Sequence, residues 1–68
     1  MFNPVDYTID ELEHKIPSMG KTSTQKTLRY ATGLAKAREK LWGRRSKSYI
    51  EWDNIAFLCR KRLRKLTG

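Results

Sequence analysis

The chain has 68 residues, and its 15 lysines and arginines against 7 aspartates and glutamates give a formal net charge of +8. A chain this short buries only about 60% of its unfolded surface, so we expect one domain over residues 1–68 without a buried catalytic cavity. The single cysteine, Cys59, excludes an internal disulfide and a cysteine-based metal cage. Without a signal peptide or a long apolar run, we expect a cytoplasmic or nucleoid-associated protein with no integral membrane association.

The first predicted element is a short helix over about residues 9–16. Thr8 and Glu11 have the spacing of a capping box, in which each side chain binds a backbone N–H at the helix start. Pro17 ends the helix near Ile16, because a residue that precedes proline avoids helical geometry. His14 is the only histidine, and the acidic residues near it favour the helix start, so we expect no enzymatic site.

The second predicted helix is long and covers about residues 23–42. Thr22 and Gln25 repeat the capping-box spacing at its start. Gly43 is expected to end it, since glycine readily adopts the left-handed conformation that follows many helices. At about 100° per residue, one face is apolar and predicts a core contribution from Leu28, Ala31, Leu34, Ala35, Leu41 and Trp42.

The third predicted helix covers about residues 49–66, with Ser48 and Glu51 as its capping box. Its apolar face predicts core positions at Trp52, Ile55, Ala56, Cys59, Leu63 and Leu66. Phe57 projects among the cations of the outer face, and the wide apolar arcs of a three-helix packing favour a core position for it. The alternatives are stacking on an unpaired base, as in single-strand binders, and a contact with another subunit. Arg38 falls within the buried arc of the second helix. It is expected to lay its aliphatic stem over the core and to meet a carboxylate, Glu51 or Asp53.

The three helices together predict an all-α fold, because no strand-like alternation competes with them. Short connections favour an antiparallel pair of the two longer helices, with the short N-terminal helix packed on the pair. Ile9, Leu12 and Ile16 complete the predicted core of this small three-helix domain.

The excess charge lies in the second half of the chain. Residues 1–34 carry four cations and four anions, whereas residues 35–68 carry eleven cations and three anions. This asymmetry indicates a polyanionic partner, and we expect nucleic acid, either DNA or RNA, bound through its phosphates with little sequence specificity. The predicted contact residues are Arg29, Lys36, Lys40, Arg44, Arg45, Ser46, Lys47, Ser48, Arg60, Lys61, Arg64 and Lys65.

Two short features sharpen this hypothesis, and each has an alternative interpretation. The stretch GRRSKS over residues 43–48 places cations and hydroxyls before the third helix, whose first N–H groups can hold a phosphate. The alternative is an ordinary solvated turn.

Gly33 lies in the basic stripe of the second helix, on the side away from the core, where it would let a nucleic-acid backbone approach closely. The alternative is a tolerated defect or an oligomer contact.

The second helix, the turn at Gly43 and the third helix resemble the helix-turn-helix DNA readers over about twenty residues. The resemblance implies a geometry in which Ser46, Lys47 and Ser48 enter the major groove. The chain departs from the family pattern at Glu39, where the family has a small residue, and in the length of the connecting turn.

Other classes of function stay open at this point. One is a protein–protein interaction module or inhibitor, of viral or plasmid origin, whose basic face docks on an acidic partner. A further one is a membrane-surface or calmodulin-type target helix, since the third helix is basic and amphipathic. We expect no cofactor and no metal site, and oligomerisation stays open.

Overall fold

A computed structural model describes residues 2–67, in which three α-helices and two short 3₁₀ turns follow one another without a strand. The helices are α1 (Ile9–Lys15), α2 (Lys21–Trp42) and α3 (Lys47–Thr67), and the 3₁₀ turns are Pro4–Asp6 and Ile16–Ser18. The predicted all-α fold with one short and two long helices is therefore confirmed. Met1 and Gly68, the ends of the predicted domain, lie outside the described residues.

The start of α1 has the predicted capping box. The Thr8 hydroxyl accepts a hydrogen bond from the Glu11 backbone N–H at 3.2 Å, and the Glu11 carboxylate accepts one from the Thr8 N–H at 2.9 Å. The hydrogen bond from the Thr8 backbone N–H favours the ionised carboxylate and so lowers the pKa of Glu11. α1 ends at Lys15, close to the predicted end. Ile16 keeps helical geometry, with φ of −52° and ψ of −44°, and begins the 3₁₀ turn that contains Pro17. The expectation that the residue before proline leaves helical geometry is therefore wrong.

The start of α2 differs from the prediction. The helix begins at Lys21 with Gly20 in the N-cap position and no side-chain cap, so the predicted capping box of Thr22 and Gln25 is wrong. The Thr24 hydroxyl donates to the Gly20 carbonyl at 2.7 Å within the first turn, and it is buried there. Because Gly20 already has the extended conformation of a cap, the helix starts two residues earlier than threonine spacing suggested.

The turn between the long helices agrees with the prediction at the end of α2 and differs from it at the start of α3. Gly43 ends α2 as predicted and has a positive φ of 84°, which glycine adopts without strain, but its ψ of 171° is not that of the expected left-handed helical conformation. Ser46, rather than Ser48, lies in the N-cap position of α3, since its hydroxyl accepts from the Tyr49 N–H at 3.1 Å. The predicted capping box of Ser48 and Glu51 is therefore wrong, because α3 begins two residues earlier, at Lys47.

Ser48 lies inside α3 and binds Arg38. The Arg38 Nε donates to the Ser48 hydroxyl at 3.1 Å, and its guanidinium lies 5.4 Å from the centre of the Trp42 ring. The expected ion pair of Arg38 with Glu51 or Asp53 is therefore wrong. A hydroxyl and an aromatic face satisfy this half-buried guanidinium instead.

The core is smaller than predicted and includes two unexpected polar residues. Its buried members are Leu12, Ile16, Met19, Thr24, Thr27, Ala31, Ala35, Trp52, Ile55, Ala56 and Cys59. The threonines are buried at low cost because their hydroxyls donate to backbone carbonyls four residues earlier, at 2.7 and 2.9 Å. At helical spacing, Thr24 and Thr27 lie on the same face as Ala31.

Four residues that the sequence assigned to the core are exposed instead. Leu41 and Trp42 are 64% and 61% exposed, because Ser48 near the start of α3 lies beside Arg38 and leaves the last turn of α2 uncovered. Leu66 is exposed in the last turn of α3. Phe57 is 57% exposed, since it lies on the face of α3 opposite the buried residues.

The two long helices are antiparallel, as predicted. Arg38 near the end of α2 bonds Ser48 near the start of α3, while Gln25 near the start of α2 and Leu63 near the end of α3 line one depression.

The two sides of this helix pair have different environments. Residues 2–20 pack against one side, which we call the covered edge. The other side, the open edge, is lined by Gln25, Leu28, Arg29, Thr32, Gly33, Ala35, Lys36, Glu39, Tyr49, Asp53, Ala56, Arg60 and Leu63.

Candidate nucleic-acid interface

Two adjacent depressions run along the open edge. The first has a volume of about 550 Å³ and is lined by Gln25, Leu28, Arg29, Thr32, Gly33, Lys36 and Leu63. The second has a volume of about 170 Å³ and is lined by Thr32, Ala35, Lys36, Glu39, Tyr49, Asp53, Ala56 and Arg60. Since Thr32 and Lys36 line both, the depressions are adjacent along α2, and we call the two together the groove.

Positive charge is concentrated in the first depression. Arg29 and Lys36 line it without a carboxylate, and their separation of two helical turns is about 10 Å along the helix axis. The second depression brings Arg60 beside Lys36 but also contains Glu39 and Asp53. Anionic ligands are therefore favoured at the end of the groove nearer the start of α2.

The cations of the groove have no carboxylate partner. Within residues 2–67, the ion pairs are His14 with Asp10 at 4.0 Å and Arg44 with Glu39 at 3.4 Å. Arg29, Lys36 and Arg60 are exposed and lie beyond 4.0 Å from every described carboxylate oxygen. They are available to a ligand without the breaking of an internal ion pair.

Gly33 lies in the floor of the first depression and has no packing role there. It is exposed, and a Cβ added to it would meet no atom within 4 Å. An interior helical glycine costs about 1 kcal/mol relative to alanine. Neither a close neighbour nor a positive φ angle accounts for the glycine at this position.

The turn GRRSKS has a mixed arrangement. Arg44 is exposed but paired with Glu39, whereas Arg45 and Lys47 are exposed and have no described carboxylate partner. The first turn of α3 contains no acidic residue, and Ser46 already occupies one of its N–H groups. The predicted phosphate site at this turn stays a prediction, carried mainly by the two unpaired cations.

The predicted contact residues of α3 lie on two sides of that helix. Arg60 lines the open edge, and Arg64 is exposed one turn later. Lys61 and Lys65 instead line a depression of about 200 Å³ on the covered side, together with Glu13, Ile16, Pro17, Leu58 and Arg62. The twelve predicted residues therefore do not share one face.

Arg62 has a structural role, although it lies in a run of basic residues. It is half-buried within the run CRKRLRKL, and its Nε donates to the Met19 carbonyl at 3.0 Å. That bond ties α3 to the segment that follows α1. One arginine of the C-terminal basic run is therefore part of the fold, while its neighbours Arg64 and Lys65 are exposed.

Sequence reasoning missed the neutral polar residues of the groove. Gln25 and Thr32 line the first depression beside Arg29 and Lys36, and their side chains can hydrogen-bond phosphate or sugar oxygens. The four positions follow a spacing of four, three and four residues, which places them on one helical face. This helical spacing is the feature of the sequence that could have identified Gln25 and Thr32 as neighbours of Arg29 and Lys36.

The remaining titratable groups have local explanations. The Asp10 carbonyl accepts the proton of His14 Nδ1 at 2.8 Å, and this hydrogen bond, with the nearby Asp10 charge, raises the pKa of His14. Burial raises the pKa of the Cys59 thiol to about 11. Within residues 2–67, no group of three or more His, Cys, Asp or Glu side chains is arranged to hold a metal ion.

Neither a membrane-spanning helix nor a similar known protein is found for the described chain. None of the helices within residues 2–67 has the length and apolar character needed to cross a membrane. The chain matches no protein-family model, and no curated protein or solved structure is significantly similar to it.

Proposed function

We propose that this protein binds nucleic acid through its phosphate groups, with little sequence discrimination, as a small accessory protein of the cytoplasm or nucleoid. The observation that carries the proposal is the groove of the open edge. Arg29, Lys36 and Arg60 line it from two helices and have no described carboxylate within 4.0 Å. A polyanion would pair first with Arg29 and Lys36 in the first depression, which contains no carboxylate, and would reach Arg60 beside the carboxylates of the second.

The groove suits a phosphodiester backbone in its chemistry as well as its charge. Arginine donates two parallel hydrogen bonds to a phosphate, and each neutralised phosphate releases condensed counterions, which favours binding. Gln25 and Thr32 add neutral donors beside Arg29. Contacts of this kind fix the position of the backbone but do not read base edges, so we expect low sequence specificity.

Gly33 supports the same proposal on steric grounds. The absence of a side chain between Arg29 and Lys36 lets a backbone lie against the surface of α2 at the floor of the first depression. A Cβ there would occupy space that is open in the free protein. The destabilising glycine thus has a functional explanation in place of a packing one.

The helix-turn-helix geometry receives less support than backbone binding. It requires Ser46 and Ser48 to face the major groove. The Ser46 hydroxyl caps α3, and the Ser48 hydroxyl accepts from Arg38, so both already have partners within the protein.

One observation favours a second candidate function, an interaction module for an acidic protein. Leu41 and Trp42 are exposed at the end of α2, directly before the basic turn. Apolar side chains beside cations suit a protein surface that presents apolar and acidic residues together. This candidate predicts binding to a protein and no binding to nucleic acid at low salt.

A salt titration tests the first proposal against the second. Fluorescence anisotropy would measure binding of labelled duplex and single-stranded DNA and RNA of equal length. Three phosphate contacts predict a log–log slope of about −2.7 or steeper on duplex DNA, since each contributes about −0.9. A flat salt response, or no binding at low salt, would contradict the proposal and favour the protein partner.

A further inference from the structure

Phe57 is an exposed aromatic ring within the most basic part of α3. It is 57% exposed, although the sequence placed it in the core. Side chains three, four and seven residues further along a helix lie on the same side, and here they are Arg60, Lys61 and Arg64. The residue one turn earlier is Asp53, so the cations lie on one side of the ring only.

The other aromatic rings of the described chain have partners within the protein. Phe2 and Tyr7 stack on each other at 5.4 Å, Tyr30 meets Trp52 edge-on at 5.5 Å, and Arg38 covers one face of Trp42. Tyr49 is half-buried against the core. Within residues 2–67, Phe57 has neither an aromatic neighbour nor a cation over its ring.

The position of Phe57 connects it to the groove. Arg60, one turn after it, lines the second depression of the open edge. A strand whose phosphates follow the groove past Arg60 toward Arg64 would pass beside the Phe57 ring. A second copy of this chain is disfavoured as the occupant, because it would bring two surfaces of positive charge together.

We infer that Phe57 stacks on an unpaired base of a single-stranded nucleic acid whose phosphates lie on Arg60 and Arg64. This inference rests on the proposed function and names its ligand class. Aromatic rings bind unpaired bases without sequence preference, because every base has a π-face. In a duplex the faces of the bases are occupied by their neighbours, so the protein binds a single strand more tightly than a duplex.

The test compares three ligands of equal length: a single strand, a duplex, and a strand that carries abasic sites in place of its bases. Phe57→Ala should lower affinity for the base-bearing strand by about 5- to 150-fold, the range for loss of one stacked base. Its affinity for the abasic strand should stay close to that of the wild type. Phe57→Trp should retain the preference for bases.

Ile50→Ala is the matched control, because Ile50 is an exposed apolar residue of the same helix, 54% exposed. It should leave all three affinities unchanged, and thermal melting should show that every variant folds. Equal affinity of the wild type for the single strand and the abasic strand, with Phe57→Ala without effect, would overturn the stacking inference and leave phosphate binding intact. Failure of the wild type to bind any strand at low salt would overturn both and assign the surface to an acidic protein.

Discussion

The covered and open edges of the α2–α3 pair are built from the same two helices but differ in the exposure and in the partners of their polar side chains. On the covered edge, Thr27 lies with its hydroxyl 3.7 Å from the Met19 sulfur, and Arg62 donates to the Met19 carbonyl. On the open edge, Arg29 and Lys36 are exposed and have no described carboxylate partner, and a glycine lies between them.

The buried residues of the helix pair stabilise the fold, whereas the exposed cations of the open edge are available for binding. Near the covered edge, the buried Thr27 hydroxyl and the half-buried Arg62 Nε are satisfied within the chain, and no buried side-chain nitrogen or oxygen of residues 2–67 lacks a hydrogen-bond partner. Cations on the open edge leave their hydrogen-bonding capacity to solvent or a ligand. Substitutions on the covered edge should therefore change stability, and substitutions on the open edge should change affinity.

The largest expected effect is on the stability of the core. Ile55→Ala should lower the free energy of unfolding by about 2–5 kcal/mol, because Ile55 is fully buried and its loss leaves a cavity. Chemical denaturation would measure it. The matched control is Ile50→Ala in the same helix, where an exposed side chain should change stability by about 0.5 kcal/mol or less. Equal effects at the two positions would contradict the described packing.

Arg62→Ala should give the next largest loss of stability. Removal of the charged donor to the Met19 carbonyl should cost about 1–3 kcal/mol. Arg64→Ala, two residues away and exposed, removes the same charge and should change stability by about 0.5 kcal/mol or less. A comparison of their melting curves distinguishes the two arginines. If both variants melt like the parent, the bond to Met19 contributes nothing measurable.

A smaller effect, of opposite sign, is expected at Gly33. Gly33→Ala should stabilise α2 by about 1 kcal/mol, because a Cβ there meets no atom and alanine favours the helix. The same change should weaken nucleic-acid binding by filling the floor of the groove. Exchanging the residues, with Gly33→Ala and Ala37→Gly in one chain, should restore parental stability while binding stays weak. Binding unchanged in both variants would assign Gly33 no role in the interface.

The smallest change in stability is expected at the turn. Arg45→Ala with Lys47→Ala should leave stability within about 0.5 kcal/mol per site, since both side chains are exposed. If the turn holds phosphate, affinity should fall and the salt slope should shrink by up to about 1.8 on duplex DNA. Lys61→Ala with Lys65→Ala is the control of equal charge. Equal losses in the two double variants would identify the turn as ordinary solvated chain.

Local signals in the sequence predicted the helices well. The Thr8–Glu11 capping box and the end of α2 at Gly43 both depend on short-range geometry, and both occur as predicted. The start of α3 was misplaced because two serines lie two residues apart and either can cap a helix. In the structure the Ser46 hydroxyl caps α3, and the Ser48 hydroxyl accepts from Arg38 instead.

The core and the groove were harder to predict because helical spacing alone does not show where a neighbouring helix ends. Leu41 and Trp42 continue the apolar face of α2, but α3 does not reach them. Thr24 and Thr27 were overlooked as polar, although their hydroxyls bond to their own helix. The basic stripe of α2 was visible in the sequence, whereas its pairing with Arg60 depends on the register of α2 against α3.

The most direct test of the open edge as the binding surface is the salt dependence of two matched double variants. One carries Arg29→Gln and Lys36→Gln on the open edge, and the other carries Lys61→Gln and Lys65→Gln on the covered side of α3. Both remove two exposed, unpaired cations and change the net charge equally. The open-edge variant should lose about 1.8 from the log–log slope on duplex DNA, or about 1.4 on single strands, and distinctly more affinity than its control. Equal losses would show a general electrostatic attraction and contradict a binding site on the open edge.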